Sequence, residues 1–422
     1  MGFLIYTHNQ MQFHDEEETV MSASIPSREE IVKAAQALVP TLRDRAQDTE
    51  DLRRIPDETI ADLRKAGLHK LFVPKRYGGF EMPWGTHVDV SRTLGQGCGS
   101  TGWVSSVVLT HTFLFGRFEE EAQDDVWGDN PDAIISTGFS GGGQATPTDG
   151  GFHVSGRWKF ASGVDHADAM LVGAKLPNSK AAFNDLWIVL KKNDFEILDT
   201  WQSEGLRGTG SKDIKVDNVF VPTHRTLDMK TMAEDPPGAK LHEYYLYGVE
   251  FHSYFITLLA GPILGAARGA YNEYVGQTMS RVGAMMGESI IDQPAVQVHV
   301  AESLTELETA DMLIDNLCDR LHTLGMNGES INGEFKLRAY RDLVMAGKLA
   351  HSSADRLSRM MGVSAQTGRN AVQRLYRDVR TMSTHSALHW EAGLQRSGKY
   401  IFGLPTGDPK IDGEKKLKQA AE

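Results

Sequence analysis

Behind the first clear start signal in the chain, apolar residues recur at helical spacing. Ser27-Arg28-Glu29-Glu30 holds hydroxyl and carboxylate at the offset of a capping box, and Ile31, Ala34, Ala35, Leu38 and Leu42 follow on one face. Pro56-Asp57-Glu58 starts a second helix through Ile60, Leu63 and Ala66, which Gly67 is placed to end. A third follows Pro83 with Val88, Val90 and Leu94, and Ser100 to Phe118 is apolar enough to be a buried helix. Near Ala133 the period shortens. The runs Ala133–Ser136, Gly151–Ser162, Asp168–Leu176, Leu186–Lys191, Phe195–Leu198 and Ile214–Val221 are separated by Gly, Asn and Asp, which predicts an antiparallel barrel or sandwich. A polar loop from Asp228 to Lys240 leads to long helices. One carries Leu304, Leu307, Ala310, Ile314, Leu317 and Leu321, and another Phe335, Leu337, Leu343, Leu349 and Leu357.

This pattern predicts a multi-domain α+β chain. Residues 1–26 form a loose tail, 27–132 a helical domain, 133–225 a β domain, 226–403 a helical bundle and 404–422 an extended tail. Composition narrows the function. Lys+Arg 44 against Asp+Glu 56 gives a net charge of −12, which argues against a nucleic-acid binder. Two cysteines, Cys98 and Cys318, are too few for a disulfide framework. The apolar stretch Phe255–Ala267 is too short to span a bilayer and is interrupted by Gly261-Pro262. With no secretory signal, the expectation is a cytoplasmic protein without membrane contact.

Common catalytic motifs are missing. No GxGxxG, Walker loop or GxSxG elbow occurs, and Gly141-Gly142-Gly143 reads as a flexible hairpin loop. His385 and His389 have metal-ligand spacing but no HExxH glutamate, so no metal is expected. His111 stands out because it lies inside Val107-Val108-Leu109-Thr110-His111-Thr112-Phe113-Leu114. There it either bonds a backbone carbonyl or faces an internal cavity. Leu206-Arg207-Gly208-Thr209-Gly210-Ser211 is a tight turn with hydroxyls, suited to a phosphate or simply to a hairpin.

The helix–β–helix order, Gly205–Ser211 running to Val219-Phe220-Val221-Pro222, Arg281 sixteen positions before Gln297, and Arg374-Leu375-Tyr376-Arg377-Asp378 together resemble the acyl-CoA dehydrogenases over roughly residues 27–403. The resemblance implies their fold, with N-terminal helices, a central antiparallel β-barrel or sandwich and a C-terminal four-helix bundle. One feature departs. Where those dehydrogenases carry a catalytic Glu, this chain reads Thr381-Met382-Ser383-Thr384-His385-Ser386, leaving Glu250 as the alternative base for an acyl-CoA dehydrogenase or related oxidase.

Other segments resemble a sub-branch, the oxygenase components of two-component flavin-dependent aromatic hydroxylases of the p-hydroxyphenylacetate and 3-hydroxy-secosteroid types. They are Gly99-Ser100-Thr101-Gly102-Trp103, and Gly156-Arg157-Trp158 followed by Ser162-Gly163-Val164-Asp165-His166-Ala167. That resemblance implies hydroxylation of a phenolic or indole-like substrate through a flavin C4a-hydroperoxide, from reduced FAD or FMN and O2. It further implies a separate NAD(P)H:flavin reductase that supplies the flavin, and assembly as a homotetramer. It assigns His111 and His385 to the catalytic site and the substrate, Ser162 to flavin N5, and Trp103, Ser136, Thr137 and Arg377 to the flavin. Arg281 is assigned to a flavin phosphate, and His252 stands where hydroxyphenylacetate enzymes place an arginine for the substrate carboxylate. His111 and His385 are expected to titrate near neutral pH.

Overall fold

The computed structural model describes residues 25–181, 183–283, 287–366, 369–408 and 410–414. The capping box is present: Glu30 N donates to Ser27 Oγ and Ser27 N to the Glu30 carboxylate, opening α1 (Arg28–Leu52). Then come α2 (Asp57–Lys65), α3 (Thr86–Gly97) and α4 (Gly99–Phe115). Every residue of α4 except Ser105 is buried, as an apolar sequence without an amphipathic face requires. Gly102 makes this possible: a Cβ there would lie 2.7 Å from the Gly95 Cα of α3.

A short α5 (Glu120–Gln123) leads to the strands β1 (Ile135–Thr148), β2 (Gly151–Ala161), β3 (Ala169–Lys175), β4 (Leu186–Lys191), β5 (Glu196–Leu198), β6 (Lys212–Pro222) and β7 (Thr226–Asp228). They form one seven-stranded sheet in the order β5-β6-β2-β1-β3-β4-β7. The expectation of a wholly antiparallel sheet needs correction, because β1 and β3 pair in parallel. The long β1 serves two partners. Its second half turns back as a hairpin into β2, while its first half takes β3 after the chain has crossed over at Ser162–Asp168. The three glycines are likewise not a loop: Gly141, Gly142 and Gly143 pair with Trp158, Arg157 and Gly156. The buried Trp158 indole lies across Gly143, where a Cβ would sit 2.2 Å from the ring.

The expected polar loop after β7 contains α6 (Met229–Glu234) and α7 (Gly238–Leu241). Then follow α8 (Phe251–Phe255), α9 (Ala260–Thr278), α10 (Pro294–Met326), α11 (Gly333–Met360), α12 (Val363–Gln366), α13 (Ala371–Ser383) and α14 (Trp390–Ile401). Helices α9, α10, α11 and α13 pack as a bundle, burying Leu307, Ala310, Ile314, Leu317 and Leu321 of the anticipated stripe and leaving Leu304 half-buried. Among the described residues no helix is long and apolar enough to cross a membrane. The segment after Pro405 is not simply extended. Ile411 is buried against Gly333, and Gly333 N donates to the Glu414 carboxylate at 2.6 Å, at the N-terminus of α11. The expected tail residues 1–24 and 415–422 lie outside the described residues.

The close approach at Gly143 yields a paired test. Gly143→Ala should lower stability by about 1–3 kcal/mol through overpacking. Gly142→Ala, with nothing within 4 Å of its added methyl, should stay within about 0.5 kcal/mol of the parent. Unfolding midpoints in denaturant compare the two.

Candidate active site

Helix α4 meets the sheet at two polar points. The first is at Trp103, whose indole Nε1 donates to Ser162 Oγ at 3.0 Å. Ser162 sits just past β2, where the register against β6 shifts between Trp158 and Ala161. The backbone there is unusual: Phe160 has φ 63° and Gly163 φ 75°, a local strain that turns the chain under α4. Ser136 Oγ donates to the Ser162 carbonyl at 2.7 Å and fixes that turn on β1. Ser162 Oγ also lies 2.7 Å from Ser211 Oγ, which is 2.6 Å from Thr209 Oγ1, and Thr209 Oγ1 donates to the Leu206 carbonyl at 2.9 Å. Ser162, Thr209 and Ser211 are all buried.

The Leu206–Ser211 loop is held from below. Leu206 has φ 54°, and its N–H donates to Asp378 Oδ1 on α13 at 2.6 Å. Burial pushes the Asp378 carboxyl up to about 6. Arg377, expected at the flavin, pairs instead with Glu50 at 2.6 Å and bonds the Glu204 carbonyl, so within one chain it braces this loop. Arg281 donates to the Met361 carbonyl at 3.0 Å, and none of its contacts involves Ser162 or His111.

The second polar point is His111, two turns further along α4 and 3% exposed. Its Nε2 lies 2.8 Å from Thr137 Oγ1, while its Nδ1 is buried without a partner. The rings of Phe139 and Phe255 flank it, with centroids at 5.7 and 6.2 Å, and Trp187 stands perpendicular to Phe139. Burial alone lowers the His111 pKa to about 3. The expectation of a histidine titrating near neutrality is therefore wrong for His111: a charge in this apolar setting would be poorly solvated.

His385 follows α13 and presents its ring edge-on to Trp103, with centroids 6.0 Å apart. Its side chain keeps an exposed face, yet protein crowds the rest of the ring and lowers its pKa. The structure thus joins His385, Trp103, Ser162 and Ser136 in one cluster and His111 with Thr137 in the next. Ser136 and Thr137 are consecutive on β1. His252 is exposed and lines a cleft of about 570 Å³ with Tyr340, Ser386, Arg396 and Asp408, its ring against Phe251. Glu250 is not poised as a base: its carboxylate accepts from Ser253 N at 2.9 Å at the start of α8 and pairs with Lys336 at 2.9 Å. Among the described residues no group of three or more His, Cys, Asp or Glu is placed to hold a metal.

Sequence reasoning did not assign Thr209, Ser211, Asp378, Phe139 or Phe255 to the site. The first three stand inside motifs that the sequence does display, but Ser211 meets Ser162 49 residues away and Asp378 meets Leu206 172 residues away, so no local spacing announces the cluster.

The fold and the clusters match a known architecture. The profile "Acyl-CoA dehydrogenase, N-terminal domain" matches residues 26–127, and "Acyl-CoA dehydrogenase, C-terminal domain" matches residues 257–390. The chain is 36% identical to the flavin-dependent monooxygenase oxygenase subunit HsaA of Rhodococcus jostii, over 89% of this chain and 99% of that protein. It is 31% identical to the FADH2-dependent resorcinol hydroxylase oxygenase component of a Rhizobium species, over 86% of this chain and 91% of the relative. The crystal structure of 3-HSA hydroxylase from a Rhodococcus species superposes with a TM-score of 0.84 at 36% identity, covering 89% of this chain and 97% of that one. The chain has the acyl-CoA dehydrogenase fold. Within it, the chain belongs to the oxygenase components of flavin-dependent monooxygenases, which are oxidoreductases.

A histidine pKa lowered by burial means that protonation begins only as the pH falls toward the lowered value. Carbon-13 NMR of labelled histidine, with His111 assigned from His111→Ala, should show no His111 titration between about pH 8 and 5. A midpoint near about 6.5 contradicts the burial argument.

Proposed function

We propose that the chain hydroxylates a phenolic or indole-like ring, using reduced FAD or FMN delivered by a separate NAD(P)H:flavin reductase, with O2 as co-substrate. The observation that carries this reading is His111: a buried ring with one nitrogen bonded to Thr137, the other unpartnered, and aromatic walls on two sides. A buried polar atom without a partner is costly, and an aromatic hydroxyl would satisfy it between flat apolar faces. The hydroxyls at Ser162 and Ser136, beside Trp103, fit the polar edge of a flavin ring, and Thr137 lies between the two positions.

When bound, reduced flavin activates O2, so that flavin-H2, O2 and an aromatic C–H become oxidised flavin, the phenol C–OH and water. The residues supply the remainder. With Nε2–H donated to Thr137 Oγ1, His111 Nδ1 accepts the substrate O–H. Its low basicity keeps this a hydrogen bond rather than a full proton transfer, and the ring carbons gain electron density. The buried faces of α4 keep water from the reacting atoms. His385 contacts the substrate from beside Trp103, and His252 touches its outer part from the cleft.

Assembly as a homotetramer is supported by α10. Val298, Met312 and Met326 are exposed at fourteen-residue intervals, which places them along one face of the helix. Arg281 then reaches a flavin phosphate of a neighbouring protomer. Such an assembly works in the cytoplasm, where reductase and reduced flavin are at hand. The dehydrogenase reading loses its base, since Glu250 is held by Ser253 and Lys336.

The test mixes the protein, reduced flavin, O2 and a panel of phenols and indoles, and measures oxygenated product and H2O2. A hydroxylated product should form, and His111→Ala should divert at least about tenfold more flavin to H2O2. Unchanged coupling in His111→Ala, or desaturation of a thioester without oxygen incorporation, overturns the reading.

A further inference from the structure

The hydroxyl chain at Ser162 has a fixed direction, and the direction follows from counting protons. The Leu206 carbonyl can only accept, and it takes the Trp201 indole Nε1–H at 2.9 Å; Thr209 Oγ1 also lies 2.9 Å from it, a contact between two oxygens that needs a proton, so the single Thr209 hydroxyl proton is spent there. The 2.6 Å contact between Thr209 Oγ1 and Ser211 Oγ must then use the Ser211 proton. The 2.7 Å contact between Ser211 Oγ and Ser162 Oγ must in turn use the Ser162 proton. Indole Nε1 of Trp103 only donates, so it adds a donor to Ser162 Oγ and relieves it of nothing. Ser162 is left with no proton to give and one lone pair to offer.

All the groups are buried, so solvent does not scramble this order. The carbonyl that starts the chain is itself immobilised, because Leu206 is held at φ 54° by its N–H bond to Asp378.

Oxidised and reduced flavins differ at N5. The oxidised ring presents a bare nitrogen that needs a donor, whereas the reduced ring presents N5–H, which needs an acceptor. We infer that Thr209 and Ser211 are positioning residues that set the redox selectivity of the flavin site, by fixing Ser162 as an acceptor that welcomes N5–H and leaves a bare N5 unpaired. This rests on the proposal that Ser162 faces flavin N5, and adds to it a reason for the site to reject the spent cofactor. A buried hydrogen bond left unmade costs far more than a made one contributes, so one misdirected hydroxyl is enough to sort the two redox states. Turnover gains from this, because oxidised flavin leaves and does not block the next reduced molecule.

The test is a pair of anaerobic equilibrium titrations, with dithionite-reduced and with oxidised FAD and FMN, followed by flavin absorbance and fluorescence and requiring no turnover. The parent protein should bind the reduced form at least about tenfold more tightly than the oxidised form. Ser211→Ala removes the acceptor for the Ser162 proton. Thr209→Val frees the Ser211 proton to turn toward Ser162. Each releases the Ser162 hydroxyl to donate, so each should tighten oxidised flavin and reduce the preference by about tenfold. Ser211→Thr and Thr209→Ser keep the hydroxyls and should keep the preference.

Ser162→Ala separates the two levels. If it changes flavin affinity while Ser211→Ala and Thr209→Val leave the redox preference intact, the relay is overturned and the placement of Ser162 stands. If Ser162→Ala changes neither affinity, the placement fails and the relay fails with it. Equal binding of both redox states by the parent protein also overturns the relay.

Discussion

Helix α4 is the constraint on which the rest depends. Trp103 and His111 are eight residues apart on it, about 12 Å along the axis. The helix is buried on all sides and cannot slide or roll without opening the core. Gly102 lets it touch α3, and Ser106 Oγ donates to the Leu258 carbonyl at 2.6 Å, tying it to the segment before α9. Strand β1 meets it directly through Thr137, while Ser136, its neighbour pointing to the opposite face, serves the Trp103 point only by holding the Ser162 carbonyl. A rigid helix and two consecutive strand residues therefore set the spacing between the place proposed for the flavin edge and the place proposed for the substrate hydroxyl.

The aromatic wall beside His111 needs fixing as well, and a buried cation does this. Arg117, at the end of α4, is fully buried and donates to the carbonyls of Met232 and Val249 at 2.8 to 3.2 Å. Its guanidinium lies over Phe113 at 5.5 Å and over Phe251 at 5.9 Å. Phe251 stacks on Phe255 at 4.8 Å, and Phe255 is a wall of His111. Burial lowers the Arg117 pKa to about 9, a cost accepted for a group that pins α6 and α8 to α4 through neutral partners. The aromatic wall and the histidine it faces are in this way parts of one packed unit.

Local signals in the sequence carried much of this. The capping box of α1, the stripe of α10 and the all-round apolarity of α4 each follow from spacing that a helix imposes. His111 was conspicuous because a polar ring in an apolar run demands an explanation, and Ser162, Trp103 and His385 came through resemblance. What escaped depends on distant partners. Gly141–Gly143 looks like a loop until Trp158 is seen lying across it. The parallel pairing of β1 with β3 is a long-range choice that alternation does not encode. Thr209 and Ser211 were visible as hydroxyls in a turn, but their direction exists only once Leu206 is pinned by Asp378, 172 residues away. The neutral state of His111 likewise comes from its surroundings and not from its residue type.

The central claim is that the two polar points along α4 divide the work, one holding the flavin edge and the other the substrate oxygen. A crystal structure of the protein with reduced flavin and a bound phenol, prepared without oxygen, tests it most directly. The account predicts flavin N5 within hydrogen-bond distance of Ser162 Oγ, about 2.7–3.2 Å, and the phenol oxygen at the same range from His111 Nδ1. A flavin ring seated away from Ser162, or a phenol with no contact to His111, would contradict it.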